Sequence, residues 1–147
     1  MPLFLREFNP SAEEIRAACP GTLPEAAEEG LRLFNERQFW HAHEALETAW
    51  IKEPGVIRGL YKGILQAGVM YLQIERANLK GAMKMYMRSQ VWLAPWPDHC
   101  RTVDVGALRA DVEAARAEAQ RLGKDGLAEF DPALLKPVRR VPPVEVL

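Results

Sequence analysis

The stretch from Val56 to Ile74 limits the fold more than any other. Ile57, Leu60, Tyr61, Ile64, Leu65, Val69 and Leu72 leave few polar positions on any side of a helix drawn through it. A helix that is apolar around most of its circumference is stable only inside a packed protein or a membrane. Nothing in the chain approaches the roughly 18 uninterrupted apolar residues of a membrane helix, so a central helix wrapped by others is expected. Gly59, Gly63 and Ala67 lie four apart on one side of it. A helical glycine costs about 1 kcal/mol relative to alanine, so a close approach by a neighbour is expected there.

The flanking segments supply those neighbours. Ser11 with Glu14 and Thr22 with Glu25 have capping-box spacing, predicting a short first helix to about Ala18, a flap outside the core, and a second helix to about Gln38. In the second, Ala27, Leu31 and Phe34 recur at helical spacing. Phe39, Ala42, Leu46 and Ala49 step by three and four, placing one apolar face on a helix that Glu53-Pro54-Gly55 ends. Asn78 is a good N-cap for a helix that Pro95-Trp96-Pro97 stops, with Trp92 and Trp96 pinning that loop. Asp104 opens a last helix, exposed and outer by composition, that Gly123 closes. Short connections between amphipathic helices favour an antiparallel up-and-down order. The expectation is an all-α antiparallel bundle of five to six helices, one domain over 1–147. Its core spans about 22–123, and a proline-rich tail, 124–147, straps the bundle.

Charge narrows the partners. Lys plus Arg number 19 against 20 Asp plus Glu, a net charge of −1, so no global field draws in nucleic acid or anionic lipid. Arg139 and Arg140 adjoin, but two arginines do not make a nucleic-acid stripe. Cys19 and Cys100 match neither a CxxC site nor a disulfide-dense scaffold, so reduced, inert thiols are expected. The charge pair and proline in MPLFLREFNP interrupt the apolar run a signal peptide needs. A cytoplasmic protein follows from both readings.

The segment that could carry chemistry runs from Phe39 to Trp50. Trp40, His43, Glu47 and Trp50 step by three, four and three, placing an imidazole and a carboxylate between two indoles, with Glu44 about 100° round from His43. The pattern Phe39-Trp40-x-x-His43-Glu44-x-x-Glu47-x-x-Trp50, followed by Arg58, Gly63-Ile64-Leu65-Gln66 and Asn78-x-x-Gly81-Ala82, resembles the DUF309 proteins of bacteria and archaea. The resemblance covers about 30–90 and implies a helical bundle with no established activity. Lys62 and Gly68 depart from the usual pattern, which has an amide and a small apolar residue there.

Three readings of these residues stand side by side. In the first, the chain is a structural or interaction module. His43, Glu44, Glu47, Arg58 and Gln66 then form a hydrogen-bonded network that fixes helix packing, since buried polar groups left unpaired cost about 1–3 kcal/mol each. In the second, His43 and Glu47, four apart, hold a divalent metal for hydrolysis, with Glu44 as base or ligand and Gln66 or Asn78 completing the shell. His-Glu-x-x-Glu lacks the second imidazole of a zinc protease, and no cofactor at all is the simpler expectation. In the third, Trp40 and Trp50 wall a small-molecule or peptide pocket. Other signals are weaker. His99-Cys100 reads as a loop pair rather than a base and nucleophile, and Met70, Met83, Met85 and Met87 read as core filler. The glycine-lined helix face is also compatible with self-association.

Overall fold

The computed structural model describes residues 8–145. Six α-helices are formed among them: α1 (Ala12–Ala18), α2 (Glu25–Asn35), α3 (Phe39–Lys52), α4 (Arg58–Glu75), α5 (Leu79–Leu93) and α6 (Val105–Gly126). Consecutive helices from α2 to α5 pack antiparallel, each on the next, and α6 closes against α5. The central position of α4 follows from its sequence. Leu60, Tyr61, Ile64, Leu65, Met70 and Tyr71 are buried on several sides, so α4 is in contact with both α3 and α5. The glycine face does what its spacing predicts at one position: a Cβ on Gly63 would come within 2.6 Å of Leu93 on α5. At Gly59 the close neighbour is the Phe8 ring, not a helix.

Some start signals hold and one does not. Ser11 and Glu14 exchange both capping-box bonds, at 3.1 and 3.0 Å. Asn78 Oδ1 accepts from Gly81 N–H at 3.0 Å, and Asp104 Oδ1 accepts from Ala107 N–H at 2.9 Å. Thr22, however, does not cap α2. Pro24 occupies the N-cap with no side-chain bond, because Thr22 lies two residues too early and gives its carbonyl to Arg101 instead. In α6 Gly123 takes φ 73°, a left-handed break after which three more residues regain helical geometry. This helix is not purely outer either: Val105, Leu108, Val112, Ala115 and Ala119 are buried. The core also takes in Ile15 of α1, and Leu127, Phe130, Leu135 and Val138 beyond α6.

The turns after α2 and α4 share one geometry. Arg37 N–H donates to Phe34 O and Gln38 N–H to Leu33 O, while Ala77 N–H donates to Ile74 O and Asn78 N–H to Gln73 O. This is the Schellman pattern, with Arg37 (φ 64°) and Ala77 (φ 56°) in the left-handed position that glycine fills at least cost. Ala77→Gly is therefore expected to raise stability by about 0.5–1 kcal/mol, since strain relief at positive φ exceeds the added unfolded-state entropy. A urea midpoint that falls on this substitution would show that the turn is not strained.

The sequence gives no strand signal between α5 and α6, yet His99–Cys100 (β1) pairs antiparallel with Val103–Asp104 (β2). The two turn residues, Arg101 (φ 49°) and Thr102 (φ 67°), take the left-handed geometry of a type I′ hairpin usually filled by Asn and Gly. Tertiary bonds hold it: Arg101 donates through its side chain to Ala18 O and Thr22 O, and through its N–H to Cys19 O. Cys19 and Cys100, expected as free thiols, form a disulfide across 81 residues. A sequence with two cysteines so far apart carries no local cue that folding brings α1 beside this hairpin.

After turns at Leu127–Glu129 and Pro132–Leu134, the chain returns along the bundle. Asn35 brackets Val138, donating to its carbonyl and accepting from its N–H. Arg37 donates to Leu135 O and Pro132 O, and Val141 N–H donates to Thr102 O. Arg140 meets Glu28 through two bonds of 2.8 and 2.7 Å, and Arg139 reaches Asp111 at 3.4 Å, so the adjacent arginines are used within the fold. Those bonds hold the Glu28 carboxyl below its usual range, against a smaller opposing cost of desolvation. The contribution of the pair is complete above the unfolded carboxyl value and is lost as pH falls through the lowered folded one. Amide exchange at Val141 is expected to accelerate, beyond its intrinsic pH dependence, only as pH falls below about 4.5 and through the lowered Glu28 value. Glu28→Gln should give the same loosening at neutral pH. Protection that does not change in either case would mean that the pair does not hold the tail.

Candidate binding recess between α3, α4 and α5

Steps of four residues build one recess. Arg58, Lys62 and Gln66 fall on one face of α4, Arg88 and Trp92 on one face of α5, and Trp50 sits near the end of α3. With Phe8 they enclose about 490 Å³. Its walls are aromatic: the Phe8 and Trp92 ring centres lie 4.6 Å apart, and the Arg58 guanidinium lies 5.6 Å from the Phe8 ring. The Lys62 ammonium sits 4.4 Å from the Trp50 ring, within cation–π range.

Gln66 is the unusual member. It is 5% exposed and its side-chain oxygen has no hydrogen-bond partner among the described residues. The Trp50 indole nitrogen is likewise buried and unpartnered. Native interiors satisfy nearly all such groups, so two orphans bordering one recess call for an explanation. Among the described residues the lining has no carboxylate, imidazole, thiol or hydroxyl. Another recess, about 560 Å³ between α2 and α3, has neither an aromatic ring nor a buried polar group in its lining.

The residues singled out from the sequence are dispersed. Trp40 is 50% exposed, stacks on the His43 ring at 5.1 Å, and takes no part in the recess. His43 Nδ1 is buried without a partner. Glu44 turns outward to His41 at 3.0 Å, and Arg58 donates to the carbonyls of Pro54 and Gly55. Asn78 is occupied in the α4–α5 turn, where it also donates to Gln73. Glu47 crosses to α4, its oxygen 3.8 Å from Lys62. Among the described residues no two members of the expected network are bonded to each other, and Glu47 pairs instead with Lys62, because helical spacing set the residues on α3 but not which of them α4 would face.

The metal reading lacks its remaining ligands. Among the described residues no three His, Cys, Asp or Glu side chains gather where one ion could be held, and His43 and Glu47 lie on a single helix. Cys100 is spent in the disulfide, which removes it as a nucleophile beside His99. Burial pushes the Tyr61 phenol up to about 12, with Glu53 adding to the shift and Arg101 opposing it, so it stays protonated near neutrality. Sequence reasoning missed Arg88 and Phe8 and gave Trp92 and Lys62 other meanings. The four-residue steps 58-62-66 and 88-92 were the signal, but one apparent outer face resembles another until two helices meet.

Comparison with known proteins places the segment but not the activity. Residues 27–85 match the model of DUF309, a domain of unknown function. An uncharacterized protein of Aquifex aeolicus (strain VF5) is 26% identical over 90 residues, which is 60% of this chain and 27% of the relative. The chain thus covers little more than a quarter of that relative's length. Trp50, Arg58, Lys62 and Gln66 lie inside the DUF309 match, and Phe8, Arg88 and Trp92 lie outside it.

Proposed function

We propose that this chain, which carries a DUF309 domain at residues 27–85, is a binding module that holds a small ligand in the recess between α3, α4 and α5. The observation that carries the proposal is Gln66, an amide kept in the core at 5% exposure with its oxygen unpaired and bordering a recess of ligand size. A packing role would favour an apolar side chain there, because an orphaned buried polar group costs about 1–3 kcal/mol. A lining that, among the described residues, lacks the usual nucleophiles and carboxylate bases favours binding over catalysis. The expected cytoplasmic location belongs to the same reading, in which burial of both sulfurs shields the Cys19–Cys100 bridge from soluble thiols.

Gln66→Met separates the alternatives, since it keeps the length and volume of the side chain but removes its polarity. A binding role predicts stability unchanged or raised by up to about 1–2 kcal/mol, together with loss of small ring compounds that perturb the Trp50 indole N–H resonance in the wild type. A drop in stability of that size, with no compound acting on Trp50 in either protein, would return Gln66 to a structural role.

A further inference from the structure

We infer that the ligand of this recess is a small organic anion with a flat apolar body, an inference that rests on the recess being the binding site. Three cationic side chains, Arg58, Lys62 and Arg88, line it, and no carboxylate does among the described residues. Glu47 stands 3.8 Å from Lys62, beyond the 2.7–2.9 Å of a charge-assisted hydrogen bond. Arg88 has no carboxylate within ion-pair distance among the described residues, and Arg58 spends one nitrogen on two backbone carbonyls. Elsewhere on the surface Arg32, Arg109, Arg116, Arg121 and Arg140 each hold a carboxylate. The recess therefore keeps an excess of positive charge next to aromatic walls, where the local dielectric is lower and an anion gains more than it would at an open surface.

The remaining groups specify the body of the ligand. Trp50, Trp92 and Phe8 supply ring faces, which favour a planar apolar moiety over a sugar or an inorganic ion. A guanidinium binds a carboxylate or a phosphate equally by two parallel bonds, so the head group is either of these.

The test uses three probes of one shape: naphthoate, naphthyl phosphate and neutral naphthamide, each titrated into the full chain while the indole N–H resonances of Trp50 and Trp92 are followed. At least one anion is expected to bind about tenfold or more tightly than the amide, a difference of about 1.4 kcal/mol. Arg88→Gln, at an exposed position, removes one of the three cations and should narrow that advantage. Preference between the two anions identifies the head group. Equal binding of all three probes at Trp50 would overturn the anion inference and leave the recess standing. No response at either indole from any probe would overturn the recess reading itself, and with it this inference.

Discussion

Reducing the Cys19–Cys100 bridge is expected to lower the unfolding free energy by about 4 kcal/mol, because the bond closes a loop of 81 residues whose entropy the unfolded chain otherwise regains. The loop spans α2 to α5, so the crosslink restrains most of the bundle in the unfolded state. Both cysteines are buried, so on reduction the two thiols must draw apart within the core, which adds a packing cost to the loss of the crosslink. Cys19→Ala/Cys100→Ala should cost somewhat more, since it also removes two buried sulfur atoms. The check is a urea titration with and without reductant. A midpoint that does not move would mean that the two cysteines do not restrain the chain. The hairpin gives a local readout of the same event: Arg101, at positive φ, donates its N–H to Cys19 O, so that amide should lose protection first.

Phe34→Ala is expected to cost about 3–5 kcal/mol. Phe34, Phe39 and Tyr71 form a closed aromatic triangle, with ring centres 5.3, 5.6 and 5.7 Å apart, joining α2, α3 and α4. All three residues are buried, so truncation of one leaves a cavity with little means of collapse. Gly68 gives an internal control. A Cβ there would lie 3.2 Å from the Phe34 ring, so Gly68→Ala crowds the native core, whereas in Phe34→Ala the same methyl enters vacated space. The pair should be non-additive: Gly68→Ala recovers up to about 1 kcal/mol only when the ring is absent. Strict additivity in thermal or denaturant melts would show that the ring does not rest on Gly68.

The sequence was informative wherever the decisive interaction is local. Periodic apolar residues identified the buried faces of α3 and α4; Ser11, Asn78 and Asp104 marked helix starts, and Gly123 marked a break. Each of these depends on groups within about one helical turn, and spacing in sequence then equals spacing in space. It was less informative about the site. The Trp40–Trp50 stripe is a correct description of one face of α3, yet only Trp50 of that pair reaches the recess. Arg88 and Trp92 come from a helix some 40 positions further on.

Periodicity thus determined by itself that this chain forms antiparallel helices around α4, because burying an apolar stripe has few solutions. Tertiary structure alone decided that Cys19 meets Cys100, that Arg101 and Thr102 turn a hairpin, and that Arg58, Lys62 and Arg88 share a recess with an unpaired Gln66. The reason is physical: helix formation is governed by neighbours along the chain, whereas a disulfide and a recess depend on which faces of separate helices meet. That choice is made by the packing of the whole core.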